Sequence, residues 1–232
     1  MARHRFFVAG TDTGVGKTTV TAALLEAGRA RGLRTLAMKP VASGCDETPE
    51  GLRNEDALIL QAAMTESLSY AQINPFALAP AIAPHVAAER AGVNLNAQRI
   101  IGFCRGLLMH PGDLLLIEGA GGWRVPLNAR ESLSAVPKAL GLPVILVVGL
   151  RLGCINHALL TAEAIYRDGL RLAGWVANRC QADVMDAEAD TLAFLDRVLP
   201  APRLGLLDWQ PGVSPSALAQ AMDLEPLLAA QA

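Results

Sequence analysis

Aromatic side chains are scarce here, only 4% of 232 residues. Charge of one sign is equally lacking: 20 Lys and Arg stand against 22 Asp and Glu, a formal net charge of −2. Without stacking rings or a basic field, a dedicated nucleic-acid binder is excluded. The longest apolar stretch, residues 142–150, falls far short of the roughly 20 residues needed to cross a bilayer. The start, MARHRFFVAGTD, carries positive charge, but its apolar run breaks at Thr11 and Asp12, so no secretory signal is expected. Cys45, Cys104, Cys154 and Cys180 are scattered, with no CxxC pair and no histidine cluster. They are expected to be reduced thiols of a cytoplasmic protein, not a disulfide frame or zinc site. No repeat or low-complexity tract is present.

Apolar residues make up 52% of the chain, enough to build a core without staples, and one domain over residues 1–232 is expected. Short β-rich runs at 5–10, 33–39, 113–119, 143–149, 172–178 and 203–207 are mostly continuously apolar, as parallel strands covered on both faces must be. Helical patterns separate them at 17–31, 55–64, 96–108, 157–167 and 186–198. A last one at 214–230 has Ser214 as N-cap and Pro215 at the first helical position. This alternation predicts an α/β fold, a doubly wound and mostly parallel sheet with helices on both faces. The segment 74–84 (NPFALAPAIAP) has no clear period and is too apolar to float in water, so a packed loop is expected.

The first strand ends in GTDTGVGKT, residues 10–18. Glycines let backbone N–H groups close on phosphate oxygens, and the helix that follows aims its own N–H groups at the same anion. Lys17 would reach the terminal phosphates and Thr18 would offer a hydroxyl to Mg²⁺. The match to G-x-x-x-x-G-K-[ST] is imperfect, because Gly10 lies one residue early and Thr11 fills the first position. Glu118 closes the strand LLLIE where an acid would stand beside a P-loop, and GAGG after it leaves the backbone open to a ligand. Asp56 is ambiguous by itself, since an acid in a first helical turn also compensates the dipole. Lys39 and Ser43, in KPVASG, lie just past a strand, where open α/β sheets bind ligands; Lys39 is placed to stabilise charge in a phosphoryl transfer.

These residues carry a family resemblance. GTDTGVGKT, KPVASG, TPEGLRNEDA, NPFALAPAIAPH, IEGAGGW, PVILVVGLRLGCINHALLT and LAGWVAN occur in order over nearly the whole chain, thinning after about Asn178, and together resemble the dethiobiotin synthetase family. The resemblance implies ATP-dependent carboxylation and ring closure of 7,8-diaminononanoate with CO₂. A carbamate and a carbamic–phosphoric anhydride form on the way to dethiobiotin, with ADP and phosphate released. It implies Lys17 and Lys39 as catalytic cations, and Thr18, Asp56 and Glu118 as Mg²⁺ ligands. Gly14, Val15, Gly16, Lys17, Thr18 and Thr19 would wrap the phosphates, and Gly119, Ala120 and Gly121 would lie against the nucleotide.

On the base side it implies Asn178, Arg179, Asp208 and Trp209. Thr13 and Ser43 match polar positions near the substrate. The family is a homodimer in which the turn matching Gly153, Cys154, Ile155 and Asn156 contacts the neighbouring subunit's substrate carboxylate, a role that suits a helix N-terminus. Asn156 has the further reading of a helix cap, and His157 is read as part of that helix. The chain departs from some members at Gly14 (Glu there), Arg179 (an acid) and Asp208 (proline), and the last two leave base selectivity open.

A nucleotide switch of the partition or cell-division type is the alternative of another class. It conflicts with Thr11, Asp12 and Thr13, where such proteins place a second lysine, and with a C-terminus that lacks Lys and Arg and so makes a poor membrane anchor.

Overall fold

The computed structural model describes residues 4–229. The chain opens with β1 (His4–Gly10), α1 (Lys17–Ala30) and β2 (Thr35–Met38). Short elements follow: β3 (Val41–Ser43), β4 (Asp46–Thr48), β5 (Gly51–Arg53), α2 (Glu55–Ala63), α3 (Tyr70–Ile73), β6 (Phe76–Leu78) and α4 (Pro84–Arg90). Then come α5 (Ala97–Leu108), β7 (Leu114–Glu118), α6 (Ala135–Leu140) and β8 (Val144–Leu150). After these lie α7 (Cys154–Arg167), β9 (Leu172–Arg179), α8 (Glu188–Val198), β10 (Arg203–Leu207), α9 (Pro215–Leu218) and α10 (Glu225–Ala229).

The six strands expected from apolar runs form one sheet in the order β10-β9-β8-β1-β7-β2, and all its pairs are parallel. Every residue of β7 and β8 is buried. Successive side chains of a strand point to opposite faces, so burial without alternation means that helices cover the sheet on both sides. Strand order changes direction at β1, with β7 and β2 on one side and β8, β9 and β10 on the other. A ligand crevice belongs at such a point, beyond the carboxyl ends of the strands.

Several expectations need correction. The segment 74–84 is not simply a loop: Phe76–Leu78 pairs in parallel with Val41–Ser43 as a separate two-stranded sheet, and α4 starts at Pro84. Three-residue strands are too short to show a period, which is why the pattern hid them. A second small pair, β4 with β5, turns through Pro49 and Glu50. Helix α7 begins at Cys154, three residues before the expected start, and its N-cap is Gly153 with φ 91°. Asn156 therefore lies inside the first turn and is not the cap.

The predicted terminal helix is broken, and its last residue, Ala230, lies outside the described residues. Ser214 does stand at the N-cap of α9 and Pro215 follows it, but no Ser214 side-chain cap bond forms. Met222 instead makes an extended bridge with Gly205, and the Asp223 N–H donates to the Leu204 carbonyl at 2.7 Å. The tail thus covers the open edge of β10, and sheet pairing overrides helix propensity.

That edge contact requires a bare backbone at Gly205, because a Cβ there would collide with the Ala221 carbonyl oxygen. Gly205→Ala is expected to cost about 1–3 kcal/mol, a drop in Tm of about 3–10 °C for a chain of this size. Calorimetric melting checks this, and an unchanged Tm would mean that the tail does not seat on β10.

Candidate active site

Between β1 and α1 the loop turns back through Gly16, φ 86°, which is the N-cap of α1. No side chain caps that helix, so its first N–H groups remain for an anion. The loop is held from behind: the Asn178 amide donates to the Val15 carbonyl at 2.9 Å. Lys17, nearly buried, donates across the loop to the Asp12 carbonyl at 3.2 Å. The Asp12 carboxylate pairs with Arg151 from the β8–α7 turn. The Thr13 N–H, and then Arg151, hold Asp12 below the ordinary aspartate value.

Strand register delivers the rest. Val8 lies opposite Glu118 and Met38 opposite Ile117, so β1, β7 and β2 end side by side. This brings Lys17 and Thr18, Glu118 and Lys39 into one place. Glu118 is completely buried. Its Oε1 accepts from the Thr18 hydroxyl at 2.7 Å and from the Lys39 ammonium at 2.9 Å. Lys39 also pairs with Asp56 at the start of α2. The two lysines respond differently to burial, which is the largest influence on both and opposes their charge. It prevails at Lys17, whose pKa is lowered. At Lys39 the charges and hydrogen bonds of Glu118 and Asp56 outweigh it and raise the pKa. Lys39 therefore stays cationic throughout the neutral range.

These groups face a cleft of about 730 Å³. Its walls include Thr13, Gly14, Gly16, Lys17, Thr18, Thr19, Lys39, Ser43, Asp56, Ala120 and Gly121, all expected site residues. Glu118 is buried behind that wall, reaching Thr18 and Lys39 from beneath, and Val15 is buried as well. Gly119 follows Glu118 and packs against the Phe7 ring. Asn178, Arg179, Asp208 and Trp209 do not line this cleft; they gather at the ends of β9 and β10. There Arg179 is clamped by Glu188 at 2.6 Å and by Asp208, so its guanidinium is engaged within the protein. Trp209 is half-exposed. Gly153, Cys154, Ile155 and Asn156 open α7 outside the cleft of their own chain.

The acid set fits a hard divalent cation in one respect. Glu118 Oε2 is buried and has no hydrogen-bond partner, which leaves a carboxylate oxygen that a cation would satisfy. Thr18, Asp56 and Glu118 offer only oxygen. Among the described residues no group of three or more His, Cys, Asp or Glu could hold a metal alone. A site of two carboxylates completed by phosphate and water suits Mg²⁺.

Sequence reasoning missed the supports. Trp123 Nε1 donates to Asp168 at 2.9 Å, and Arg124 and Lys138 pair with the same carboxylate at 2.7 and 3.3 Å. Burial opposes the Asp168 charge, yet these donors together hold its pKa down. The loop after β7 is thereby tied to the end of α7. Asn54 caps α2, accepting from the Ala57 N–H at 3.4 Å. That was legible in principle, as an Asn immediately before two acids and an apolar run. The partners of Asn54 across the fold left no local signal. As for the cysteines, burial pushes the Cys104 thiol up to about 12, in keeping with an inert core group.

A parallel sheet whose first strand feeds a GKT loop and a helix defines a P-loop nucleotide-binding enzyme. A family model described as an AAA domain matches residues 4–217. The chain is 64% identical over 232 residues to the ATP-dependent dethiobiotin synthetase BioD of Marinobacter nauticus, covering 98% of itself and 99% of that relative. It is 56% identical over 222 residues to the synthetase of the same name from Pseudomonas aeruginosa strain UCBPP-PA14, covering 96% and 97%. The chain belongs to the ATP-dependent dethiobiotin synthetase family.

Among solved structures it is similar to a ParA family ATPase from Chlorobium tepidum, with a TM-score of 0.56 at 12% identity over 99% of this chain and 97% of that one. It also resembles the signal recognition particle receptor FtsY of Elizabethkingia anophelis, with a TM-score of 0.50 at 13% identity. That match covers 97% of this chain and spans 64% of the receptor chain. At these identities the likeness shows the fold alone.

Gly16 is the loop's most constrained position. A Cβ there would collide with the Asn178 amide, and the positive φ adds strain. Gly16→Ala is expected to weaken ATP binding by roughly tenfold or more, the scale of a 1–3 kcal/mol backbone strain. Titration calorimetry checks this, and unchanged affinity would mean that the loop does not bind phosphate in this conformation.

Proposed function

We propose that the chain performs its family's ATP-dependent ring closure in this cleft, as one P-loop α/β domain, on 7,8-diaminononanoate and CO₂. The observation that carries the reading is the single Glu118 carboxylate oxygen shared by Thr18 and Lys39. It couples the phosphate loop to a buried lysine facing the same space, whose ammonium Glu118 and Asp56 favour. One amine of the diamine adds to CO₂ and loses a proton, giving a carbamate. A carbamate oxygen attacks the γ-phosphorus of ATP, and ADP leaves. The second amine then attacks the carbamoyl carbon of the mixed anhydride, expels phosphate, loses its proton and closes the cyclic urea.

Lys39, held between Glu118 and Asp56, faces the transferred phosphoryl group and the carbamate and neutralises charge that builds there. Lys17 and the N–H groups of 14–19 cradle the ATP phosphates. Thr18, Asp56 and Glu118 would hold Mg²⁺, which supplies charge neutralisation on the phosphates when bound; the partnerless Glu118 Oε2 supports that set. Thr13 and Ser43 border the diamine, and the buried Ser43 hydroxyl, without a partner of its own, supports this. Gly119, Ala120 and Gly121 lie along the nucleotide, with Asn178, Arg179, Asp208 and Trp209 toward its base. The Asn178 amide nitrogen donates to the Val15 carbonyl and the Cys180 sulfur, which leaves its carbonyl oxygen for an exocyclic amino group.

The assembly we propose is a homodimer in which Gly153, Cys154, Ile155 and Asn156 receive the neighbour's substrate carboxylate. Their location at the N-terminus of a 14-residue helix, outside their own chain's cleft, supports this. The protein works in the cytoplasm on small molecules, without nucleic acid or membrane. The near-neutral charge supports this, as does the fact that no described helix is long and apolar enough to cross a membrane.

The test is phosphate release from Mg·ATP and bicarbonate, with and without 7,8-diaminononanoate, with the product weighed by mass spectrometry. Diamine-dependent release and a product heavier than the diamine by one carbon and one oxygen less two hydrogens are expected; release indifferent to the diamine would overturn the reading. In the same assay Lys39→Gln is expected to cut turnover by at least about 10²-fold, the scale of losing one transition-state donor. Asp56→Asn is expected to move the Mg²⁺ titration to higher concentration. An unchanged titration would leave Asp56 as a partner of Lys39 and not a metal ligand.

A further inference from the structure

Lys39 and Asp56 meet through their side chains, and a second, wholly separate path joins their backbones. The Lys39 carbonyl accepts from the Asn74 amide at 2.7 Å. The Asn74 side-chain oxygen accepts from the Tyr70 hydroxyl at 3.0 Å. That hydroxyl in turn accepts from the Asn54 backbone N–H at 2.7 Å. Asn54 caps α2, whose second residue is Asp56. The circuit closes at the Lys39–Asp56 ion pair.

Each group in the circuit has one role to fill. Asn74 is buried, and only one orientation of its amide gives a donor to Lys39 and an acceptor to Tyr70. The phenol donates once and accepts once. The peptide of Lys39 is also gripped through its N–H, which donates to the Ile73 carbonyl at 2.9 Å. Both ends of that residue are thus fixed by the turn at the end of α3. Arg53 stacks on the Tyr70 ring at 4.3 Å, so the ring is held independently of its hydroxyl. Burial pushes the Tyr70 hydroxyl above its usual value, which keeps it a proton donor at any working pH.

A lysine at the end of a strand and an acid on a helix of a different layer have no covalent reason to keep a fixed separation. We infer that Tyr70 and Asn74 are positioning residues for the ring closure, setting the Lys39 ammonium and the Asp56 carboxylate at their working distance. The inference rests on the proposed roles of Lys39 and Asp56. Neither residue touches the cleft, and they act only through the two groups they hold.

Tyr70→Phe tests this, since it deletes the hydroxyl and leaves the ring on Arg53. The expected result is a kcat lower by roughly ten- to a hundredfold, as for a small misplacement of a catalytic group. KM for ATP is expected to stay within about twofold, with half-maximal Mg²⁺ shifted upward. Gln72→Ala is the stability control. It removes the capping box that Ser69 and Gln72 form at the start of α3 but spares the circuit. It is expected to lower Tm with kcat unchanged. Equal loss of kcat in both variants, or a Tyr70→Phe enzyme within about twofold of the parent kcat, overturns the inference.

Should Tyr70→Phe not fold, the unmutated protein still decides. Its Asn54 amide must exchange with solvent far more slowly than exposed loop amides, and fast exchange overturns the circuit. Lys39→Gln separates the two failures. If it keeps full turnover, the proposed role of Lys39 is what fails. If it is inactive while Tyr70→Phe is normal, only the positioning inference fails.

Discussion

One carboxylate oxygen organises this molecule's chemistry. Glu118 lies completely buried at the end of β7, where an unpaired ionised carboxylate costs on the order of several kcal/mol. Two donors offset that cost, and they come from distant parts of the chain: Thr18 of the phosphate loop and Lys39 beyond β2. Removing either donor leaves a buried charge under-satisfied, so the geometry of the phosphate loop and that of the lysine are coupled through one atom. The other oxygen of the same group has no hydrogen-bond partner among the described residues.

The parallel sheet makes this arrangement possible. β7 lies between β1 and β2, so a residue at its carboxyl end is adjacent both to the loop after β1 and to the segment after β2. The two lysines sit in the same crevice yet respond differently to burial. Among the described residues Lys17 donates only to a backbone carbonyl, and burial lowers its pKa. Lys39 has two carboxylates, and its pKa rises. Lys39 is balanced within the protein by two carboxylates that Lys17 does not contact directly. This difference accords with the two roles proposed for these lysines.

Around this centre the fold adds supports that reach the cleft only indirectly. Asp168 ties the loop after β7 to the end of α7 through Trp123 and Arg124. Asp12 ties the phosphate loop to the turn before α7 through Arg151. Both ends of α7 are thereby linked to walls of the cleft, and its N-terminus is the one proposed to serve the neighbouring subunit. At the far ends of β9 and β10, Arg179 is occupied by Glu188 and Asp208.

The sequence by itself determined the sheet, because continuously apolar runs bounded by turns have few alternatives to parallel strands buried on both faces. It also determined the phosphate loop, where glycine, lysine and threonine spacing carries its own geometry, and it placed Glu118 at the end of a strand. Local pattern could not determine what depends on pairing across the fold. Val41–Ser43 and Phe76–Leu78 are strands only because they meet each other. The tail after α9 is extended at Met222 only because β10 offers an open edge. Asp56 was ambiguous from its helical position, and only the folded chain brings it against Lys39. The hydrogen bonds of Tyr70 and Asn74 left no local pattern, since they reach residues 16 and 35 positions away. Periodicity records which face of an element is buried, and only the folded chain decides which atoms that burial brings together.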